Sequence, residues 1–149
     1  YFFINFILKM KKHEYFDVLN DHLPINLIEK IIDYTYTYKF TNNDELKIAI
    51  KGYPDNINIY GDCKYWDISG VEDMSEMFSE IFSEGEFDGD ISNWDVSNVT
   101  NMNCMFDRSK FNGDISKWDV SNVEYMKYIF TDSQFDGDIS NWDLSNRKA

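Results

Sequence analysis

Aspartates recur along this chain in two series: Asp62, Asp90, Asp114 and Asp138, and Asp67, Asp95, Asp119 and Asp143. Within each series the steps are 28, 24 and 24 residues. If those intervals are structural units that stack, like carboxylates come within about one strand spacing, roughly 4.8 Å. Carboxylates that close repel each other and hold their protons more tightly. Three arrangements relieve the repulsion. The carboxylate accepts backbone N–H bonds at a chain corner, it faces solvent where screening weakens the field, or a hard cation such as calcium bridges two units. Asp90, Asp114 and Asp138 of the first series follow Phe-x-Gly, and Asp62 follows Ile59-Tyr60-Gly61. That context lacks the alternating aspartates and late glutamate of an EF-hand loop, and it does not match the nonapeptide calcium repeat. We therefore expect corner capping at Asp62, Asp90, Asp114 and Asp138, which are also the residues a metal would use, and no cofactor. The second series alternates with apolar neighbours, so Asp67, Asp95, Asp119 and Asp143 are candidate contacts for a partner. Catalysis has no visible machinery. The histidines, His13 and His22, lie outside the repeats, and no nucleophile–base pair, phosphate loop or zinc spacing occurs. A non-enzymatic protein is expected.

Both series ride on one phrase, Gly-Asp-Ile-Ser-x-Trp-Asp-Val-Ser, centred on Trp66, Trp94, Trp118 and Trp142. A fixed period in the twenties is the signature of a solenoid whose units pack only on their neighbours. Trp94-Asp95-Val96 alternates apolar, polar, apolar, as a short strand does. Val99, Met102, Met105 and Phe106 recur every three to four residues, as on about two turns of helix. Each coil therefore reads as strand, corner, short helix and return, with the tryptophans in the core. Ser97, Ser121 and Ser145, with Asn98, Asn122 and Asn146, are expected to form turn-stabilising ladders. The first interval is the longest, because extra residues lie between Phe78 and Phe87. Insertions in repeats map to loops on one face, which makes Ile81 and Phe82 candidate contact residues.

The strings Phe111-Asn112-Gly113-Asp114-Ile115-Ser116 and Trp94-Asp95-Val96-Ser97-Asn98-Val99-Thr100-Asn101-Met102 resemble the repeats of BspA-type leucine-rich-repeat surface proteins. That family is also known as a domain of unknown function common in mycoplasma lipoproteins. The resemblance covers about residues 58–146. It implies a right-handed, leucine-rich-repeat-like α/β solenoid of about four coils and a role in binding or display. It implies no catalytic residue and no ligand.

Residues 1–54 lack the repeat and read as a small helical cap, leaving 55–149 to the solenoid. Helices are expected over 11–20, after Pro24 (Leu27, Ile28, Ile31 and Ile32 form one stripe) and over Asn43 to Lys51. The last has Asn42 and Glu45 as a capping box, Gly52 as its stop, and Leu46, Ala49 and Ile50 inward. The stretch from His22 to Tyr34, opening on Leu23-Pro24, resembles the start of F-box-like domains. That resemblance implies docking to a ubiquitin-ligase adaptor, with Leu23 and Pro24 as contacts.

The chain has a formal net charge of -13 and is 43% hydrophobic and 17% aromatic. That is enough apolar content for a packed core. The acidity argues against nucleic acid or an anionic membrane and for a basic protein partner. The apolar run Tyr1 to Leu8 precedes its lysines and is too short to span a bilayer. Cys63 takes a slot held elsewhere by isoleucine and Cys104 a variable one, so no disulfide is expected and an intracellular setting fits. AT-rich coding, an F-box-like start and bacterial-type repeats together resemble the mix found in large DNA viruses of protists. A structural role in a virion, or in an adhesin, is a further expectation. The last unit stops at Asn146-Arg147-Lys148-Ala149. An uncapped coil there is expected to associate end to end with further repeats or a partner.

Overall fold

The computed structural model of the chain describes residues 37–79 and 87–148. Leu23, Pro24, Ile81 and Phe82, the two earlier expected helices and the F-box-like stretch lie outside the described residues.

The first element, α1 (Asn43–Lys51), forms for the reasons its sequence suggests. The Asn42 side chain accepts the Glu45 N–H at 2.9 Å, and Asp44 and Glu45 place negative charge in the first turn. Leu46, Ala49 and Ile50 are buried on one face. The capping box is not closed, however. The Glu45 carboxylate accepts the Tyr38 hydroxyl, which holds the preceding segment against the helix. That segment pairs in parallel with the first repeat: Phe40 N–H donates to Asp67 O at 2.8 Å and Asp67 N–H to Tyr38 O at 2.9 Å. The Phe40 ring, fully buried, lies 5.0 Å from Trp66. A short helix, α2 (Ile57–Tyr60), and a 3-10 turn at Cys63–Tyr65 lead into the repeats.

Each repeat is a run of tight turns rather than the expected strand and helix. The pentads Asp90-Ile91-Ser92-Asn93-Trp94 and Asp95-Val96-Ser97-Asn98-Val99 follow one another directly. In each, the fifth residue's N–H donates to the second residue's carbonyl: Trp94 to Ile91 at 3.1 Å and Val99 to Val96 at 2.9 Å. A β-turn brings its first and last residues to the same side, so Ile91 and Trp94, and Val96 and Val99, are all buried. Met102 to Met105 closes the next turn, with Met105 N–H donating to Met102 O at 3.2 Å.

Helical spacing at Val99, Met102, Met105 and Phe106 is misleading for a physical reason. Alternate N–H groups there point sideways, to the next unit. Met102, Cys104 and Phe106 donate to Tyr125, Lys127 and Ile129 carbonyls at 2.7, 2.9 and 2.9 Å. Met74, Glu76 and Phe78 donate likewise to Asn101, Asn103 and Met105 at 2.8, 2.9 and 2.8 Å. The middle donors Glu76 (φ 54°) and Cys104 (φ 53°), and Tyr128 (φ 59°) at the same repeat position, are left-handed. A left-handed residue interrupts both helix and strand. Pairing therefore reaches a β-bridge only at single positions, Asp73 with Asn101 and Asn101 with Tyr125, both parallel.

The core is a set of aromatic columns. Phe78, Phe106 and Phe130 stack at 5.1 and 5.5 Å with interplanar angles of 9° and 12°. Phe111 and Phe135 insert beside them, 4.9 Å from Phe106 and 4.5 Å from Phe130 respectively. Trp66 stacks on Trp94 at 6.1 Å and Trp118 on Trp142 at 6.5 Å. The Phe-x-Gly pattern follows from this packing. Each ring folds back over the glycine two residues on, so a Cβ at Gly113 would sit 2.6 Å from Phe111 Cζ.

We expect Gly113→Ala to cost about 1–3 kcal/mol, because Phe111 is held in the column and cannot swing away. Denaturant unfolding of the double variant Phe111→Leu, Gly113→Ala against Phe111→Leu alone should recover most of that loss. An unchanged alanine penalty would mean that the ring is not what excludes the methyl.

Candidate functional site

The aspartate ladders are corner caps. In the first series Asp90, Asp114 and Asp138 accept the N–H of Ser92, Ser116 and Ser140 at 3.0, 2.9 and 2.9 Å. Asp62 accepts Lys64 N–H at 3.2 Å and pairs with the Lys64 ammonium at 3.4 Å. The second series does the same: Asp67, Asp95, Asp119 and Asp143 accept from Ser69, Ser97, Ser121 and Ser145 at 3.0, 3.1, 3.1 and 3.0 Å. In two corners the serine hydroxyl also donates to the same oxygen, at 2.6 Å for both Ser69 and Ser97. Asp67 additionally meets the Lys39 ammonium at 3.3 Å.

These bonds set the titration. Bonds from Ser92 hold Asp90 below the usual carboxylate range, against a small opposing push from Asp114. Bonds from Ser116, Ser121, Ser140 and Ser145 do the same for Asp114, Asp119, Asp138 and Asp143, with Asp119 opposing weakly at Asp143. Repulsion along the ladders is thus smaller than the gain from capping. Burial raises Asp73, but Ser75 and Asn101 donate to it and bring it below the usual range. Among the described residues, no three His, Cys, Asp or Glu side chains gather into a set that could hold a metal ion. Both cysteines are free thiols, and burial pushes Cys63 up to about 12 despite its bond with Tyr53.

A different set of residues forms a concavity. A groove of about 430 Å³ is lined by residues of four successive units, Glu72, Asn98, Thr100, Asn122, Glu124 and Asn146. Its wall is a ladder of asparagines. Asn98, Asn122 and Asn146 donate their side-chain N–H to Ser69, Ser97 and Ser121 carbonyls of the preceding unit at 2.9, 2.7 and 2.6 Å. No donor among the described residues takes their Oδ1 acceptors. The floor is backbone: Thr100 N–H donates to Glu72 O at 2.8 Å, Glu124 to Thr100 O at 2.9 Å and Lys148 to Glu124 O at 2.7 Å. Reading the repeats picked out the asparagines as turn residues but missed Glu72, Thr100 and Glu124. The available signal was variability at one slot on a constant frame: Glu72, Thr100, Glu124 and Lys148 occupy equivalent positions and differ in charge.

Residues 44–149 match the family described as "Mycoplasma protein of unknown function, DUF285". The chain belongs to this family. The match takes in nearly all of α1 together with every repeat, and stops short of the F-box-like stretch. No curated protein and no solved structure matches the chain. Among the described residues of this DUF285 protein, no helix is long and apolar enough to cross a membrane.

The corners predict a substitution pattern. Asn101 already caps a corner, accepting Asn103 N–H at 3.1 Å, so the acceptor matters more than its charge. Asp119→Asn should leave the thermal unfolding midpoint nearly unchanged, whereas Asp119→Ala should lower it, as loss of comparable caps does. Equal losses in both would assign the corner to charge.

The pH dependence has a definite sign. Asp67, Asp90, Asp114, Asp119, Asp138 and Asp143 are held below the unfolded value of about 3.9, so their stabilisation is complete above that value and is lost as pH falls through the folded one. The unfolding midpoint should stay flat from neutral pH to about 5 and fall steeply below about 4. A midpoint that rises on acidification would show that ladder repulsion outweighs capping.

Proposed function

We propose that this DUF285 protein is a non-enzymatic protein-interaction module. Its repeats form a small right-handed solenoid behind a helical N-terminal cap, and its concave or edge surface meets a partner that carries basic groups. One observation carries this reading: the division of labour within each unit. Trp, Val, Met and Phe side chains are consumed by the core and most of the aspartates by corners. What stays accessible is a series of side chains that changes from unit to unit on an invariant backbone. Such a surface is suited to recognition, because its chemistry can change without disturbing the fold. The acidic balance, -13 over the chain, favours and steers cationic partners. No specific observation favours the ligase-adaptor reading, which rests on Leu23 and Pro24, or the virion and adhesin readings.

Selection from a random peptide library displayed on phage, using the full chain as bait, tests the proposal. Enrichment of sequences that bind the native chain but not the acid-unfolded chain is the expected result. Failure to enrich any such sequence would sink the interaction reading.

A further inference from the structure

We propose that the groove lined by Glu72, Asn98, Thr100, Asn122, Glu124 and Asn146 is the docking site for an extended peptide segment carrying Lys or Arg at every third residue. The inference rests on the interaction-module reading and names the partner's chemistry.

Three observations converge on that ligand. First, the groove offers acceptors. One N–H of each asparagine amide is committed to the preceding unit, and the acceptors that remain are the amide oxygens and the carboxylates of Glu72 and Glu124. A ligand that brings donors, both peptide N–H groups and cationic side chains, matches those acceptors.

Second, the protein itself shows an ammonium bound at one of the two carboxylates. Lys148 Nζ pairs with Glu124 Oε2 and lies 5.4 Å above the Tyr125 ring centre. A carboxylate on one side and an aromatic face on the other is a recurrent way to hold a cation. The pair is exposed, with side chains 54% and 37% accessible. An exposed pair of this kind holds weakly, so an incoming cation can displace the lysine.

Third, the spacing selects a conformation. Glu72 and Glu124 are separated by two inter-unit steps, about 9.6 Å at a strand spacing of roughly 4.8 Å. A polyproline II segment rises about 3.1 Å per residue with three residues per turn, so residues i and i+3 share a face about 9.3 Å apart. A segment lying along the stacking axis thus delivers one cation to each glutamate, with its unpaired backbone N–H groups beside the asparagine oxygens. A β-strand puts residues i and i+3 on opposite faces and fits less well.

The test uses the full chain and the peptide Ac-Lys-Pro-Gln-Lys-Pro-Gln-Lys-NH2, with its fully acetylated-lysine counterpart as a neutral probe. Binding is followed by backbone amide NMR shifts. The expected result is saturable shifts centred on Asn98, Thr100, Asn122 and Glu124, absent with the acetylated peptide. Glu72→Gln with Glu124→Gln should weaken binding roughly tenfold. Asp95→Asn with Asp119→Asn removes the same charge at corners outside the groove and should leave affinity unchanged. Lys148→Gln removes the internal competitor and should tighten binding. Equal weakening by the two double variants, or shifts spread over the acidic surface, would mean non-specific charge attraction and overturn the proposal. So would unchanged affinity in Lys148→Gln, or no binding. If phage selection yields ligands that bind elsewhere on the chain, this site fails while the interaction-module reading stands.

Discussion

The indole N–H of each repeat tryptophan reaches back to a carbonyl in the unit before it, and the stacking depends on that bond. Trp94 donates to Cys63 O at 2.8 Å, Trp118 to Ile91 O at 3.1 Å and Trp142 to Ile115 O at 3.2 Å. The same carbonyls already accept a backbone N–H that closes a turn in their own unit, from Trp66, Trp94 and Trp118. Both lone pairs of each oxygen are therefore used, one within a unit and one between units. A buried carbonyl or indole left unpaired costs about 1–3 kcal/mol. The corner and the stack consequently stabilise each other. Tryptophan suits the position because its ring fills the core while its single donor fixes the register.

This coupling explains why so little of each unit is left to vary. Ile91, Trp94, Val96, Val99, Met102, Met105 and Phe106 are all buried, and the side chains of Asp90, Asp95 and Asn101 each accept the N–H two residues on. Freedom remains at solvent-facing slots such as Asn93 and Lys117, at the left-handed slot of Glu76, Cys104 and Tyr128, and at the groove slot of Glu72, Thr100 and Glu124. The left-handed slot tolerates residues other than glycine at a cost of about 1–2 kcal/mol each. The groove slot carries no such strain, and its side chains converge on one concavity.

Period, register and inward-facing residues were legible in the sequence because burial repeats with the units. Trp66, Trp94, Trp118 and Trp142 are each no more than 8% exposed. The capping role of Asp90, Asp114 and Asp138 was legible too, since an Asp two residues before a Ser in a Gly-rich context reads as a turn. Local geometry was not. Alternation at Trp94-Asp95-Val96 resembled a strand, and the spacing of Val99, Met102 and Met105 resembled a helix, but both arise from turns about five residues apart. Apolar residues at the second and fifth positions of a pentad fall two and three apart in alternation, so short windows match either template. The pentads Asp-Ile-Ser-x-Trp and Asp-Val-Ser-x-Val would have separated the cases. The groove was illegible for another reason: it is built from residues 24 to 28 apart whose shared feature is position, not type.

Departures from the repeat in the first unit follow from its different neighbour. Where later units place Asn98, Asn122 and Asn146, the first has Gly70. A Cβ there would lie 2.9 Å from Phe40 O and 3.3 Å from Thr41 Cα, so the segment paired to Asp67 leaves no room for a side chain. Trp66 has no equivalent carbonyl behind it among the described residues, and its indole N–H turns to Gly61 O of its own unit at 3.1 Å. Gly61 in turn adopts φ 77°, a conformation that favours glycine. Cys63 replaces the usual isoleucine where Gly89 packs so closely that an added Cβ would lie 2.4 Å from its sulfur. Gly70 and the Trp66 indole mark places where the first unit meets something other than another unit, whereas Cys63 faces the unit that follows. Glu72 differs: it sits in this irregular unit, yet it obeys the groove's geometry. The Glu72 carbonyl accepts Thr100 N–H as the Thr100 and Glu124 carbonyls accept Glu124 and Lys148 N–H, so the row of equivalent groove residues starts in the first unit.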